Sequence, residues 1–238
     1  MIDLAQFKYL SFDCYGTLID WESGILGYLR PLLHGRGVEA TDESILSLYS
    51  DFEPRQQQQA YRRYREILAA VVRDFGAHFN CEFTDTEADG LAGSIRDWQP
   101  FRDTVPALQR LKTRYKLAVL SNIDDDLFSF TAPKLGVELD TVVTAQQVKS
   151  YKPSLRNFET LMERLPVAKD QLLHVAESLY HDVAPARQLG IATVWVNRRQ
   201  GRAAAATKVV AAEPDLEVVT VGALADRVDA ASNAVRTK

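Results

Sequence analysis

Two cysteines, Cys14 and Cys81, are all that the 238 residues contain, too few for a disulfide framework. Cys14 reads as a small buried residue at a strand end. No apolar run approaches the ~20 residues that cross a bilayer, so no membrane partner is expected. Basic charge is not in surplus. Twenty-eight Lys and Arg face 32 Asp and Glu, and a net charge of −4 gives no reason to expect nucleic acid or an anionic membrane as partner. The chain opens Met1-Ile2-Asp3-Leu4 without a basic region and a long apolar segment, so no signal peptide is expected and the cytoplasm is the default location. The remaining composition, 46% hydrophobic and 25% charged, is that of an ordinary globular chain, either one large domain or a core with an insertion.

The stretch Phe12-Asp13-Cys14-Tyr15-Gly16-Thr17-Leu18 organises the reading. It follows the apolar run Tyr9-Leu10-Ser11-Phe12, a short buried strand. An acid at the carboxyl end of a strand, followed by glycine, sits where open α/β sheets place their ligands. Gly16 allows a sharp turn there, and Thr17 offers a hydroxyl to hold a carboxylate oxygen.

Beyond Asp13 the pattern becomes helical. Ile25, Leu26, Leu29, Leu32 and Leu33 have helical spacing over 22–34. Thr41 starts a second helix with Ile45, Leu46 and Tyr49 on its apolar face, and Arg55 to Phe75 reads as one long helix. Thr84 opens another through Ile95. Residues 20–98 therefore hold helices and no convincing strand. From Phe101 strands and helices alternate: helix 104–113, strand 116–120, helix 126–135, strand 141–145, helix 155–164, strand 171–176, helix 183–189, strand 192–196, strand 217–220 and helix 222–234. Near-continuous apolar strands in β-α units predict an α/β fold, a doubly wound parallel sheet with a Rossmann-like core. The core is residues 1–19 and 99–238. Residues 20–98 form an inserted helical cap placed over the carboxyl edge of the sheet, where an insertion acts as a lid. Ala203–Ala206 and Ala211-Ala212 read as a loop.

Four strand ends carry polar residues: Asp13, Tyr15 and Thr17; Ser121 and Asn122; Lys152; and Glu177, Ser178, His181 and Asp182. Each has an ordinary explanation as a cap or a surface residue. Their succession at strand ends, which a parallel sheet brings to one edge, favours a shared site.

In Phe12 to Thr17, Leu120-Ser121-Asn122, Tyr151-Lys152-Pro153 and Val175 to Asp182, the chain resembles the haloacid dehalogenase superfamily over nearly its whole length. The resemblance implies a nucleophilic aspartate, matching Asp13, a cation beside it, matching Lys152, and donors matching Thr17, Ser121 and Asn122. Phosphatases of the superfamily carry a second aspartate two residues after the nucleophile, to protonate the leaving oxygen; this chain has Tyr15. An alkoxide leaving group needs an acid and a halide does not, so the motif looks like the 2-haloacid dehalogenase branch. Arg55 to Tyr61 resembles the cap segment whose arginine meets substrate, which puts Tyr15, Trp21, Arg55 and Tyr61 on the substrate side. Two stretches depart from that branch. Phe158 stands where the dehalogenases carry tyrosine, and Ala176 to His181 lacks their serine and asparagine pattern. Phe12 to Glu22 and Ala176 to Asp182 look closer to azetidine-2-carboxylate hydrolase, a relative that opens a strained ring.

The expected reaction is a two-step displacement on the 2-carbon of a small-molecule carboxylate. Asp13 forms an ester, and water activated by Asp182 or Glu177 hydrolyses it. His181 is expected to pack or support rather than act as base. No cofactor or metal is required. Glu177 and Asp182 could bind Mg2+ with Asp13, which keeps a phosphatase as an alternative, beside a non-catalytic small-molecule-binding protein. A homodimer is left open.

Overall fold

Every position of β1 (Tyr9–Phe12) is buried, because this strand runs through the interior of a six-stranded sheet. The structure, a computed structural model, describes residues 2–200 and 210–236; Ala203–Ala206 lie outside them. The other strands are β2 (Lys116–Ser121), β3 (Thr141–Thr144), β4 (Leu172–Ala176), β5 (Ala192–Val196) and β6 (Leu216–Val218). Their order is β3-β2-β1-β4-β5-β6, and every pairing is parallel. The chain moves outward from β1 through β2 to β3, then returns to β4 and moves the other way. The direction therefore reverses between β1 and β4, where an open α/β sheet leaves a crevice at its carboxyl edge. Tyr9 pairs with both Lys116 and Leu172, which brings Asp13, Ser121 and Glu177 to the same edge.

Between β1 and α5 lie α1 (Trp21–His34), α2 (Asp42–Gln57), α3 (Tyr64–Phe79) and α4 (Asp85–Ser94); α5 itself is Thr104–Lys112. Local signals start these helices. Asp20 accepts from Ser23 N, Thr41 accepts from Ser44 N, and Thr84 with Glu87 forms a capping box. Their apolar faces meet one another through Ile25, Leu29, Ile45, Tyr49, Ile67, Val71, Phe75 and Leu91, all buried. Each such side chain contributes about 1.5–3 kcal/mol by leaving water. Where the insertion leaves and rejoins the sheet, the two crossings pair with each other: Asp20 N donates to Gln99 O at 2.9 Å and Phe101 N to Leu18 O at 3.0 Å.

The remaining helices are α6 (Asp125–Thr131), α7 (Ala145–Val148), α8 (Leu155–Arg164), α9 (Ala184–Gln188) and α10 (Val221–Arg236). A wide helical turn, Leu179–Val183, precedes α9.

The helix expected over Arg55 to Phe75 is two helices. The first ends at Gln57 and the second begins at Tyr64, with Arg63 extended between them. The break has a tertiary cause. Asp124, fully buried beyond the end of β2, accepts Tyr64 N at 2.9 Å and Arg65 N at 3.0 Å. A carboxylate from the sheet edge thus takes the first two amides of α3, beside the local acceptor Glu66, which receives Arg63 N at 2.8 Å.

Asp124→Ala should leave these two amides unsatisfied and destabilise the protein by about 1–3 kcal/mol. Calorimetry should show the unfolding midpoint falling by several degrees, with Asp124→Asn between the two. An unchanged midpoint would show that the bridge does not hold α3.

Candidate active site

Asp13 stands one residue beyond β1, and Gly16 turns the chain behind it at φ +97°, where a Cβ would meet Trp21 Nε1 at 3.0 Å. Lys152 Nζ reaches Asp13 Oδ1 at 2.8 Å, Asp182 Oδ1 at 2.6 Å and Leu120 O at 3.0 Å. These three acceptors use all three ammonium protons. Thr17 Oγ1 donates to Asp13 Oδ2 at 2.8 Å and accepts Glu177 N at 2.9 Å, tying the β1 and β4 loops together. Asn122 grips the backbone of Lys152 from both sides, with Nδ2 donating to its carbonyl at 3.1 Å and Oδ1 accepting its N–H at 2.7 Å. Asn122 therefore positions the lysine rather than the nucleophile. Behind Asp182 lies His174, whose Nε2 is 2.9 Å from Asp182 Oδ1 and whose Nδ1 is 2.8 Å from Ser11 Oγ.

A small cavity of about 40 Å³ opens on this group, lined by Asp13, Tyr15, Trp21, Glu53, Tyr64 and Ser121, with Asn122, Lys152, Ser178, His181 and Asp182. Ser121 Oγ and Asp182 Oδ2 are buried there without a hydrogen-bond partner. Tyr15 is anchored by its hydroxyl to Thr131 Oγ1 at 2.8 Å and by its ring against Trp98. Burial pushes the Tyr15 phenol and the Cys14 thiol well above their ordinary values, which keeps both neutral.

The two carboxylates share one ammonium and differ in what else surrounds them. Burial pushes Asp13 upward and the charge of Asp182 adds to that, against the pull of Lys152 and Thr17. Asp182 is buried too, but Lys152 and His174 together hold it below the usual carboxylate range. Burial also disfavours the charge on Lys152, yet its two aspartates outweigh this and raise it above an ordinary lysine. The ammonium is thereby retained.

Glu177 turns its side chain toward a neighbouring cleft with Glu22 and Arg199 rather than into the Asp13 cavity. Burial and the charge of Glu22 push it up to about 8. Trp21 lines both spaces. Two expected substrate contacts lie elsewhere. Arg55, with its side chain 60% exposed, reaches Asp74 at 3.6 Å and lies over the Phe52 ring. Tyr61 stacks on Tyr151 at 5.6 Å beside a separate cleft. The reason is the phase of α2: two residues along a helix rotate the side chain by about 200°, so the turn that aims Glu53 inward aims Arg55 out.

Glu53 and His174 are the residues that sequence reasoning missed. Glu53 continues the buried spacing Ile45, Tyr49, Glu53, a signal lost when a new helix is begun at Arg55. His174 stands inside an otherwise apolar strand, eight residues before the acid it supports.

A buried carboxylate locked to a lysine at the carboxyl edge of a doubly wound sheet, under a helical insertion, defines the class of hydrolases that work through an aspartate. The chain belongs to the haloacid dehalogenase-like hydrolase family, which it matches over residues 7–190. It is 27% identical to (S)-2-haloacid dehalogenase 4A of Burkholderia cepacia over 79% of this chain and 82% of that one. With (S)-2-haloacid dehalogenase H-109 of Pseudomonas putida it shares 25% over 94% and 98%. The L-2-haloacid dehalogenase of Xanthobacter autotrophicus, solved with chloropropionic acid covalently bound, has the same fold, with a TM-score of 0.77, 20% identity and coverage of 94% and 98%.

Asp13 and Asp182 are bridged by an ammonium, Glu177 faces another cleft, and the described residues contain no cluster of three metal-ligating side chains. Nor is any helix among them long and apolar enough to cross a membrane.

Burial pushes Glu53 up to about 7 from an ordinary 4.5. The folded state therefore binds more protons than the unfolded chain between those values, and this group's contribution to stability falls as pH rises through that window. Glu53→Gln removes the effect. The variant should gain on the native protein by up to a few kcal/mol between pH 4.5 and pH 8 in denaturant titrations. A stability difference independent of pH would show that Glu53 does not hold its proton.

Proposed function

We propose that the protein hydrolyses a short carboxylic acid at its 2-carbon by nucleophilic displacement, in the manner of the 2-haloacid dehalogenases it resembles. The observation that carries this is Asp13, held by Lys152 on one oxygen and Thr17 on the other, facing a cavity with Tyr15 where a proton donor would stand. An oxygen of Asp13 attacks the 2-carbon, the bond to the leaving group breaks, and the halide departs with the electron pair. Tyr15 keeps its phenol proton, because burial raises it well above its ordinary value, so it is a poor acid for a leaving group. The second step adds water to the Asp13 carbonyl carbon. Asp182 Oδ2, unpartnered and facing the cavity, is the acceptor for the water proton. Lys152 stabilises the oxyanion that develops on Asp13. Collapse breaks the bond to the ester oxygen of the substrate, which takes the proton back from Asp182 and leaves as the 2-hydroxy acid, and the Asp13 carboxylate is restored.

A second reading has a specific support. A protonated ring nitrogen also leaves without an enzyme acid, so opening of azetidine-2-carboxylate fits Tyr15 equally well. In both cases the partner is a small carboxylate, and the chain's own residues supply every step. A space of about 40 Å³ is close to the volume of one water. Substrate entry therefore calls for the helical insertion to shift on its two paired crossings.

In a single turnover in ¹⁸O water, with enzyme in excess over 2-chloropropionate or azetidine-2-carboxylate, label should enter the peptide containing Asp13 and leave the product largely light. Turnover should persist in EDTA. Label passing straight to product would replace the ester by direct attack of water. Lys152→Ala should lower kcat by ~100-fold or more, as loss of a preorganised electrostatic group does. Near-normal turnover in a folded variant would remove Lys152 from the mechanism.

A further inference from the structure

Glu53 has no part in the displacement just described, yet it is one of the groups facing the nucleophile. It is 4% exposed and lines the same cavity as Asp13 and Lys152. Its Oε1 receives the Tyr64 hydroxyl at 3.3 Å and the Gln57 amide. Tyr64 is in turn backed by the Tyr49 hydroxyl at 3.1 Å. A carboxylate so enclosed is costly unless something answers it.

The cavity wall offers it the Tyr64 hydroxyl, and among the described residues no cation is bonded to it. Its one lysine has spent all three protons on Asp13, Asp182 and Leu120 O, and no arginine lines the space. The guanidinium nearest in sequence, Arg55, is turned to Asp74 on the outer face of α2. Acidic side chains therefore outnumber basic ones around the reacting carbon. A plain anionic substrate would add one more negative charge. A substrate carrying an ammonium or a protonated ring nitrogen would cancel one, and its N–H would find an acceptor already in place.

We infer that Glu53 is the specificity-determining residue of this site, and that it receives a protonated nitrogen carried by the substrate at or next to the reacting carbon. The preferred substrate is then an amino-bearing short acid rather than a plain 2-haloacid of the same size. The carboxylate of that substrate meets Ser121 Oγ, the buried hydroxyl left without a partner. The inference rests on the proposed displacement at the 2-carbon, since that reaction places a carboxylic acid in the cavity.

Alanine and isobutyrate test it. They have the same number of heavy atoms and the same carboxylate, and differ by an ammonium against a methyl group. Neither carries a leaving group. Calorimetric titration of the native protein at pH 8 should show alanine, in one of its enantiomers, binding at least about tenfold tighter, the factor expected for one charge-assisted hydrogen bond. In Glu53→Gln that ratio should fall to near one. Equal affinities in the native protein, including no binding of either, or a ratio unchanged in Glu53→Gln, would overturn the assignment. Substrate turnover separates this from the mechanism. Label on Asp13 without an alanine preference removes Glu53's role and leaves the displacement standing. An alanine preference without label on Asp13 removes the displacement.

Discussion

One buried ammonium holds the site together. Lys152 takes three acceptors from three parts of the sheet edge: Asp13 after β1, the Leu120 carbonyl at the end of β2, and Asp182 in the turn after β4. Taking these charges out of water costs several kcal/mol for each ion, so the arrangement survives only because its geometry is complete. Completeness here means that every proton of the ammonium is used and that Asn122 fixes the backbone carrying it. Removing any one member leaves the others uncompensated.

The unequal surroundings of the two aspartates divide their roles. Asp182 has His174 behind it, itself tied to Ser11, so it keeps its charge and holds the lysine. Asp13 has only the lysine and the Thr17 hydroxyl, and burial works against its charge. Its charge is therefore the less stabilised of the pair. Carbon chemistry suits such a group, because the carboxylate loses its charge as the ester forms and recovers it when water completes the cycle.

The helical insertion depends on the sheet for part of its own structure. Asp124 gives up its side chain to the start of α3, and Tyr151 gives its hydroxyl to the Arg62 carbonyl at 2.8 Å. These contacts put Tyr64 and Glu53 over the nucleophile. The chemistry of the cavity is thus split between two layers. The sheet edge provides Asp13, Ser121, Lys152 and Asp182, and the helices provide Trp21, Glu53 and Tyr64.

Much of this was legible in the chain. Apolar strand runs alternating with helical spacing required a parallel sheet, and the acid-glycine turn after Tyr9–Phe12 placed Asp13 at the sheet edge, because both signals are local. Lys152, Ser121 and Asp182 could be placed at strand ends by counting elements, without knowing any contact. Other features were not local. The break between Gln57 and Tyr64 depends on Asp124, some sixty residues away, and without it the polar run reads as continuous helix. The resemblance of Arg55 to Tyr61 to a cap segment pointed to Arg55, whereas the phase of α2 carries Glu53 inward and Arg55 out. His174 looked like a strand residue until the fold set it against Asp182. The sequence by itself determined which elements form and that Asp13 stands at the end of the first strand, since hydrophobic period and turn chemistry act over a few residues. Only the tertiary structure decided which side chains face the nucleophile, since helix phase and buried charge pairing are settled when distant segments pack.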